Sequence, residues 1–267
     1  VAEDTFLITA QQTLSIARRE GAREEALSLR GLAVLTFSRA IVERLGKLCA
    51  LEEADWLSPA AHPYAGPQTV KRGIYEGMPV TVVAPPMGAS PMACVVEDLV
   101  SCGVEAIFLV CAAWSLGAPV AFGDLIVPAF SIGPDGTSIH YGNTSGRAEA
   151  NPVVVTALAD ACRGQGAAVH VGGNASCEAL YRITPQMVAE FRERGCLRME
   201  NGEASTLLAM AQALGFVGGV LFQPYIDLPQ GWDPSRLDED YVQSCRIQVE
   251  AALQAAIRLR EQGLIER

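Results

Sequence analysis

Residues 78–119, MPVTVVAPPMGASPMACVVEDLVSCGVEAIFLVCAAWSLGAP, decide the fold. Residues 78–86 are an apolar, β-branched run closed by Pro85-Pro86, which reads as a buried strand. Residues 90–103 carry helix punctuation at both ends. Ser90 suits the N-cap, Pro91 the first helical position and Gly103 the C-cap. Residues 104–113 return to a second buried strand. A strand, a helix and a strand in succession are the repeating unit of a parallel sheet. The end of the stretch raises the functional question. Small residues Cys111-Ala112-Ala113 follow Phe108-Leu109-Val110, and small residues at a strand end let a ligand approach the backbone. Yet residues 108–119 contain no charge, and only Ser115 and the Trp114 N–H offer polar side-chain atoms.

Outward from this unit the alternation continues. Strands are expected at 123–133, 167–176 and 216–226. Helices are expected at 5–30, 151–166, 185–195, 203–215 and 239–264. The Pro- and Gly-rich 58–68 reads as loop. The pattern predicts one α/β domain with a mainly parallel or mixed central sheet over 31–267, preceded by a helical extension over 1–30. Such sheets bind ligands at the carboxyl ends of their strands. The loops to watch are therefore 84–90, 111–118, 172–182 and 222–232.

Composition narrows the function classes. Of 267 residues, 50% are hydrophobic and 19% charged, enough to bury a large core. The net charge of -10 and the lack of a Lys/Arg cluster argue against nucleic-acid or anionic-membrane partners. No apolar run has the length of a membrane span, and no signal-peptide pattern is visible. The eight cysteines form no C-x-x-C pair. They read as buried reduced thiols of a cytoplasmic protein, with Cys111 and Cys177 the two placed to act as nucleophiles. His62, His140 and His170 lack metal-ligand spacing, so no metal is expected.

Three blocks carry a resemblance: RGIYEGMPVTVVAPPMGASPMACVVEDLVSCGVEAIFLV, FGDLIVPAFSIGPDGTSIHYGN and GEASTLLAMAQALG. In this order they resemble the nucleoside phosphorylase-I family, with the uridine phosphorylases as the nearest branch, over roughly residues 31 to 262. The resemblance implies a twisted, partly closed sheet flanked by helices. It implies chemistry at the N-glycosidic bond of a nucleoside-like ligand, with phosphate as the possible co-substrate and no other cofactor. It also implies a homo-oligomer, a dimer or a hexamer of dimers, in which a neighbour's Arg completes the site.

Residue by residue, Glu203 matches the family Glu that binds the ribose hydroxyls, a role suited to two acceptor oxygens. It would also steady an oxocarbenium-like sugar. Asn201 stands where the family has a second Glu. Arg39 matches the Arg of a phosphate turn whose Gly-Asp-Pro is missing here, and Arg72 the Arg given across a dimer interface. Gly88 and Ser90 fall in the loop that touches sugar and phosphate. Asn174, Glu178 and Tyr181 occupy the base-pocket segment. Gln223 lies near the Asp that protonates a purine leaving group, and Asp227 follows four residues later, able to serve as the acid if 224–229 folds inward. The departure at the opening stretch is sharper. Val110 replaces a family Arg and Ala112-Ala113 a Gly-Thr pair, which together bind phosphate. Cys111 and Trp114 then edge an apolar pocket. The acceptor is left open between phosphate and water. So are two rivals: a member repurposed for another small-molecule reaction, and a non-catalytic nucleoside-binding protein.

Overall fold

The computed structural model describes residues 6–56, 69–233 and 239–266; the loop expected at 58–68 lies outside them. In chain order the elements are α1 (Ala10–Arg19), α2 (Glu24–Leu27), β1 (Leu32–Leu35), α3 (Arg39–Cys49), β2 (Glu52–Glu53), β3 (Thr69–Tyr75), β4 (Met78–Ala84), α4 (Ala89–Ser101) and β5 (Ala106–Ser115). They continue with β6 (Leu125–Ile132), β7 (Arg147–Glu149), α5 (Pro152–Gly164), β8 (Val169–Ser176), α6 (Pro185–Glu193), β9 (Cys196–Glu200), α7 (Glu203–Leu214), β10 (Val217–Asp227) and α8 (Glu239–Glu261).

All these strands join one mixed sheet. Strand β1 lies between β4 and β5, parallel to both, and β5 runs parallel to β10. The parallel pairs β6–β8 and β8–β9 lead back to β5 through an antiparallel contact at Trp114 and Met199. Phe222 pairs with Ile126 between β10 and β6, so β5, β9, β8, β6 and β10 close on themselves while β1, β4, β3 and β2 extend as an open wing. Helices cover both faces. One core layer draws on α1, α4 and α7, the other on α3, α5 and α8. Alternation along β5 divides its side chains between them. Ile107, Leu109, Cys111 and Ala113 belong to the first layer, and Ala106, Phe108 and Val110 to the second.

Three expectations are corrected. The helix expected at 5–30 is two helices, because the chain turns at Gly21, whose φ is +89°. Helix α4 begins at Ala89 with Gly88 as its N-cap, so Ser90 is exposed inside the first turn and caps nothing. The strand expected to end at 113 runs on to Ser115, two residues into the segment 111–118 expected as a strand-end loop. Ala113 pairs with Pro224, and Ser115 with both Asp227 and Arg198, so backbone partners on both sides hold this end of β5 extended. Unassigned by the sequence reading were β1, α3, β2, β3, β7 and β9.

Candidate active site

A cavity of about 320 Å³ opens beyond the carboxyl ends of β1 and β4 and against the last residues of β5 and β10. Its walls are mostly apolar, with Phe37, Met87, Leu109, Trp114, Phe222 and Tyr225 among the lining residues. Polar atoms come from Ser38, Cys111, Asn201, Glu200, Glu203 and Tyr241. Among the described lining residues there is no Lys, Arg or His.

Glu203 is the first residue of α7 and is only 3% exposed. The chain enters that helix through Gly202 at φ +98°, a conformation costly for any residue with a Cβ. A Cβ there would also lie 3.0 Å from the Glu178 side chain and 3.2 Å from Ala89. This accounts for glycine directly before the glutamate. The Gly88 N–H donates to Glu203 Oε1 at 2.9 Å, joining the β4–α4 loop to α7. Burial, then the Glu200 charge and a hydrogen bond to Glu200, push the Glu203 carboxyl well above the usual carboxylate range.

Glu200 ends β9 and was missed by sequence reasoning. Its Oε1 accepts from Asn174 Nδ2 at 2.9 Å and from Ser176 Oγ at 2.5 Å, and its Oε2 accepts from the Ala204 N–H at 3.1 Å. Behind it lies Arg198, fully buried and also missed. Its Nε donates to Asn174 Oδ1 at 3.1 Å, a terminal nitrogen donates to the Ile126 carbonyl at 3.3 Å, and the guanidinium sits 4.0 Å from the centre of the Phe222 ring. Burial brings the Arg198 pKa down to about 9, which leaves it a cation at neutral pH. Arg198 and Glu200, two residues apart on β9, both turn toward Asn174.

The other expected residues divide clearly. Gly88, Cys111, Trp114, Asn201 and Glu203 come together at the cavity. Asn174 stands one layer behind, in contact with Glu200. Arg39 does not reach the site. As the first residue of α3 it points outward, 92% exposed, and pairs with Glu43 one turn on, while Phe37 and Ser38 face the cavity. Arg72, on β3, donates to the Glu25 carbonyl of its own chain, in a separate acidic cleft with Glu52 and Asp55. Glu178 accepts from the Gly136 N–H at 3.0 Å and tethers that loop. Gln223 points away, donating to Cys245 Sγ at 3.0 Å, because alternation along β10 gives the cavity side to Phe222. Asp227 is not on an inward loop. Residues 224–227 are strand paired to β5, and Asp227 accepts from Gln230 at 2.5 Å outside the cavity lining. Tyr181, 93% exposed, edges a neighbouring apolar groove of about 590 Å³ with Trp232. Trp232 meets Trp114 edge to face at 5.8 Å, so the groove and the cavity are neighbours.

Val110 is fully buried in the core layer with Val34, Val82 and Phe108. Cys111 lines the cavity, but burial pushes its thiol well above the usual range, which keeps it a neutral, poor nucleophile. Cys177 is also buried, its thiol 3.8 Å from the Ala179 carbonyl. All eight cysteines are free thiols. Among the described residues no His/Cys/Asp/Glu group is arranged to hold a metal ion, and no helix is long and apolar enough to cross a membrane.

Comparison with known proteins places this geometry in context. Residues 32–259 match the sequence profile of the Phosphorylase superfamily. The chain is 26% identical over 226 residues to the uridine phosphorylase of Klebsiella aerogenes, covering 79% of this chain and 87% of that one. It is 27% identical over 147 residues to a guanosine phosphorylase of Halorubrum lacusprofundi, covering 55% and 61%. Among solved structures, purine nucleoside phosphorylase from Toxoplasma gondii, in complex with immucillin-H, superposes with a TM-score of 0.75 over 90% of this chain and 94% of that one, at 19% identity.

Proposed function

This chain belongs to the phosphorylase superfamily, and from that premise we propose that it is an enzyme acting at the N-glycosidic bond of a nucleoside-like substrate, with water as the acceptor. The observation that carries the reading is Glu203, presented at the start of α7 by Gly202, fixed by the Gly88 N–H and facing a cavity walled by aromatic rings. Two carboxyl oxygens suit a pair of sugar hydroxyls, and the flat apolar walls suit a base. A carboxyl beside the sugar favours the positive charge that develops as the bond to the base breaks. The relatives named uridine and guanosine phosphorylase support the substrate class.

Water is favoured over phosphate by Val110. Phosphate needs paired charge when it is buried, and the position that would supply it holds an isopropyl group packed into the core. Arg39 is turned to solvent, and the cavity lining offers carboxyl groups, Glu200 and Glu203, in place of a cation. The free thiols suit a reducing, cytoplasmic setting. The test is incubation with uridine, inosine and methylthioadenosine, with and without phosphate, identifying the sugar product. Free sugar at equal rates in both buffers is expected. Formation of a sugar 1-phosphate at a rate set by phosphate overturns the reading of Val110. Absence of cleavage in both overturns the enzymatic reading in favour of a ligand-binding role or a different reaction.

A homo-oligomer is also proposed, from the family. Since Glu25 of the same chain engages Arg72, the expected assembly does not depend on Arg72 entering a neighbour's site. Light scattering of wild type and Arg72→Ala at micromolar concentration should give the same mass, at least a dimer. A monomeric wild type would refute the assembly.

A further inference from the structure

Two carboxyl groups meet at one wall of the cavity, and their hydrogen-bond partners are unequal. Glu200 receives three donors from two elements: Asn174 and Ser176 on β8, and the Ala204 N–H in the first turn of α7. Asn174 is oriented in turn by Arg198, whose Nε–H occupies its carbonyl oxygen and thereby commits its amide group to donate toward Glu200. Ser131 supports the same cluster, 2.7 Å from Asn174 Nδ2 and 3.0 Å from Ser176 Oγ. Glu203 receives one donor from elsewhere in the chain, Gly88 N–H, and lines the open space. Hydrogen bonds from donors stabilise the ionised form of a carboxyl, and two adjacent carboxyls resist ionising together.

We propose that Arg198 and Asn174 act as positioning residues that hold Glu200 as the ionised member of the pair, so that Glu203 keeps the shared proton and offers the ligand a hydrogen-bond donor as well as an acceptor. This deepens the proposed function, on which it rests for its ligand. The substrate class it selects presents both a hydroxyl and an unprotonated oxygen or nitrogen at this wall. A ligand bearing a carboxylate or phosphate at the same place is disfavoured by Glu200.

The surrounding charges agree. The groups around Glu203 are Glu200 and Arg198 on β9, Cys111 on β5, Glu178 beside Gly202, and Asp135, which accepts from Ser205 of α7 at 2.8 Å. Tyr241 and Cys245 on α8 complete the set, with burial pushing both upward, Tyr241 to about 12, so both are neutral at pH 7. Arg198 is therefore the one cation in this set, and it lies on the Glu200 side, reaching that carboxyl through Asn174.

The experiment is a carboxyl titration of ligand-free protein by NMR, with 13C at the glutamate side-chain carboxyls. One glutamate is expected to remain protonated at neutral pH, and Glu203→Gln should remove that resonance. Glu200→Gln keeps a side chain of the same shape and should lower the titration midpoint of Glu203 by about one pH unit or more, a tenfold change in proton affinity. Asn174→Leu should move the proton toward Glu200. Arg198→Met should do the same and Arg198→Lys should not, and the Asn174 and Glu200 variants decide the matter if neither Arg198 variant folds. The inference is overturned if no glutamate holds a proton at neutral pH, if the resonance survives Glu203→Gln, or if Glu200→Gln leaves the midpoint in place. The titration uses no substrate, so it can succeed where the cleavage assay fails, and the reverse.

Discussion

The cavity has two walls built on different principles. The wall formed by β9 and the start of α7 is a buried polar network. Arg198, Asn174, Ser176, Glu200 and Glu203 each have a fixed partner, and the cluster is buried, with Glu200 and Glu203 lining the cavity. The wall formed by β5 is ordinary core: Leu109, Cys111 and Ala113 on one face, Val110 on the other, held straight by backbone pairing with β10. Polar networks of the first kind are costly wherever a group lacks a partner, as one terminal nitrogen of Arg198 does. The second kind tolerates change of shape but not of charge. On the proposed function, the fold keeps the half of a reaction centre that would hold the sugar, while the other half is absorbed into packing.

The comparison can be broken in three places. The largest effect is expected for Val110→Arg. It places a charge in the α3–α5–α8 core layer with no counter-ion, at a cost of roughly 3–5 kcal/mol in stability. Chemical denaturation should show a markedly lower midpoint. A stable variant that gains phosphate-dependent activity would mean the β5 wall is still an anion site. Next is Glu203→Ala, which should leave the fold intact and weaken riboside binding by roughly 2–4 kcal/mol, since two sugar hydroxyls lose their partner. Calorimetry with uridine or inosine reads this directly, and unchanged affinity would show that the polar wall does not hold the ligand. The smallest effect belongs to Arg39→Ala. An exposed pair one helical turn apart contributes less than about 0.5 kcal/mol, and neither melting temperature nor turnover should move noticeably. A tenfold loss of turnover would return Arg39 to the site.

The sequence made some of this plain and hid the rest for physical reasons. Apolar runs and helix punctuation located β4, α4, β5, β6, α5, β8, α6, α7, β10 and α8, because burial and capping leave local marks. Glu203 was legible because it opens an apolar helix at a recognisable place. Glu200 and Arg198 were not. A charged pair in a short strand reads as solvent-facing by default, and Arg is rarely buried to completion. What buries it is a partner 24 residues away on β8, which no local window contains. The same limit explains β5. Its last residues, Trp114 and Ser115, look like loop until β9 and β10 supply partners on both edges. Arg39 and Asp227 had suitable chemistry, but their direction is set by helix start and strand register, which are properties of the folded backbone.

The ring contact between Trp114 and Trp232 has a practical consequence. The chain has three tryptophans, and Trp56 lies apart in the core, its N–H directed at Cys102 Sγ. The other two touch at the boundary between the cavity and the groove. Anything that enters the cavity alters the solvent and the electronic surroundings of Trp114, and through the edge contact those of Trp232, while Trp56 supplies a steady background. The protein therefore carries its own fluorophore at the place of interest. Intrinsic emission, followed by quenching and spectral shift, can rank nucleosides, bases and sugars against one another without a label, a coupled enzyme or an identified product.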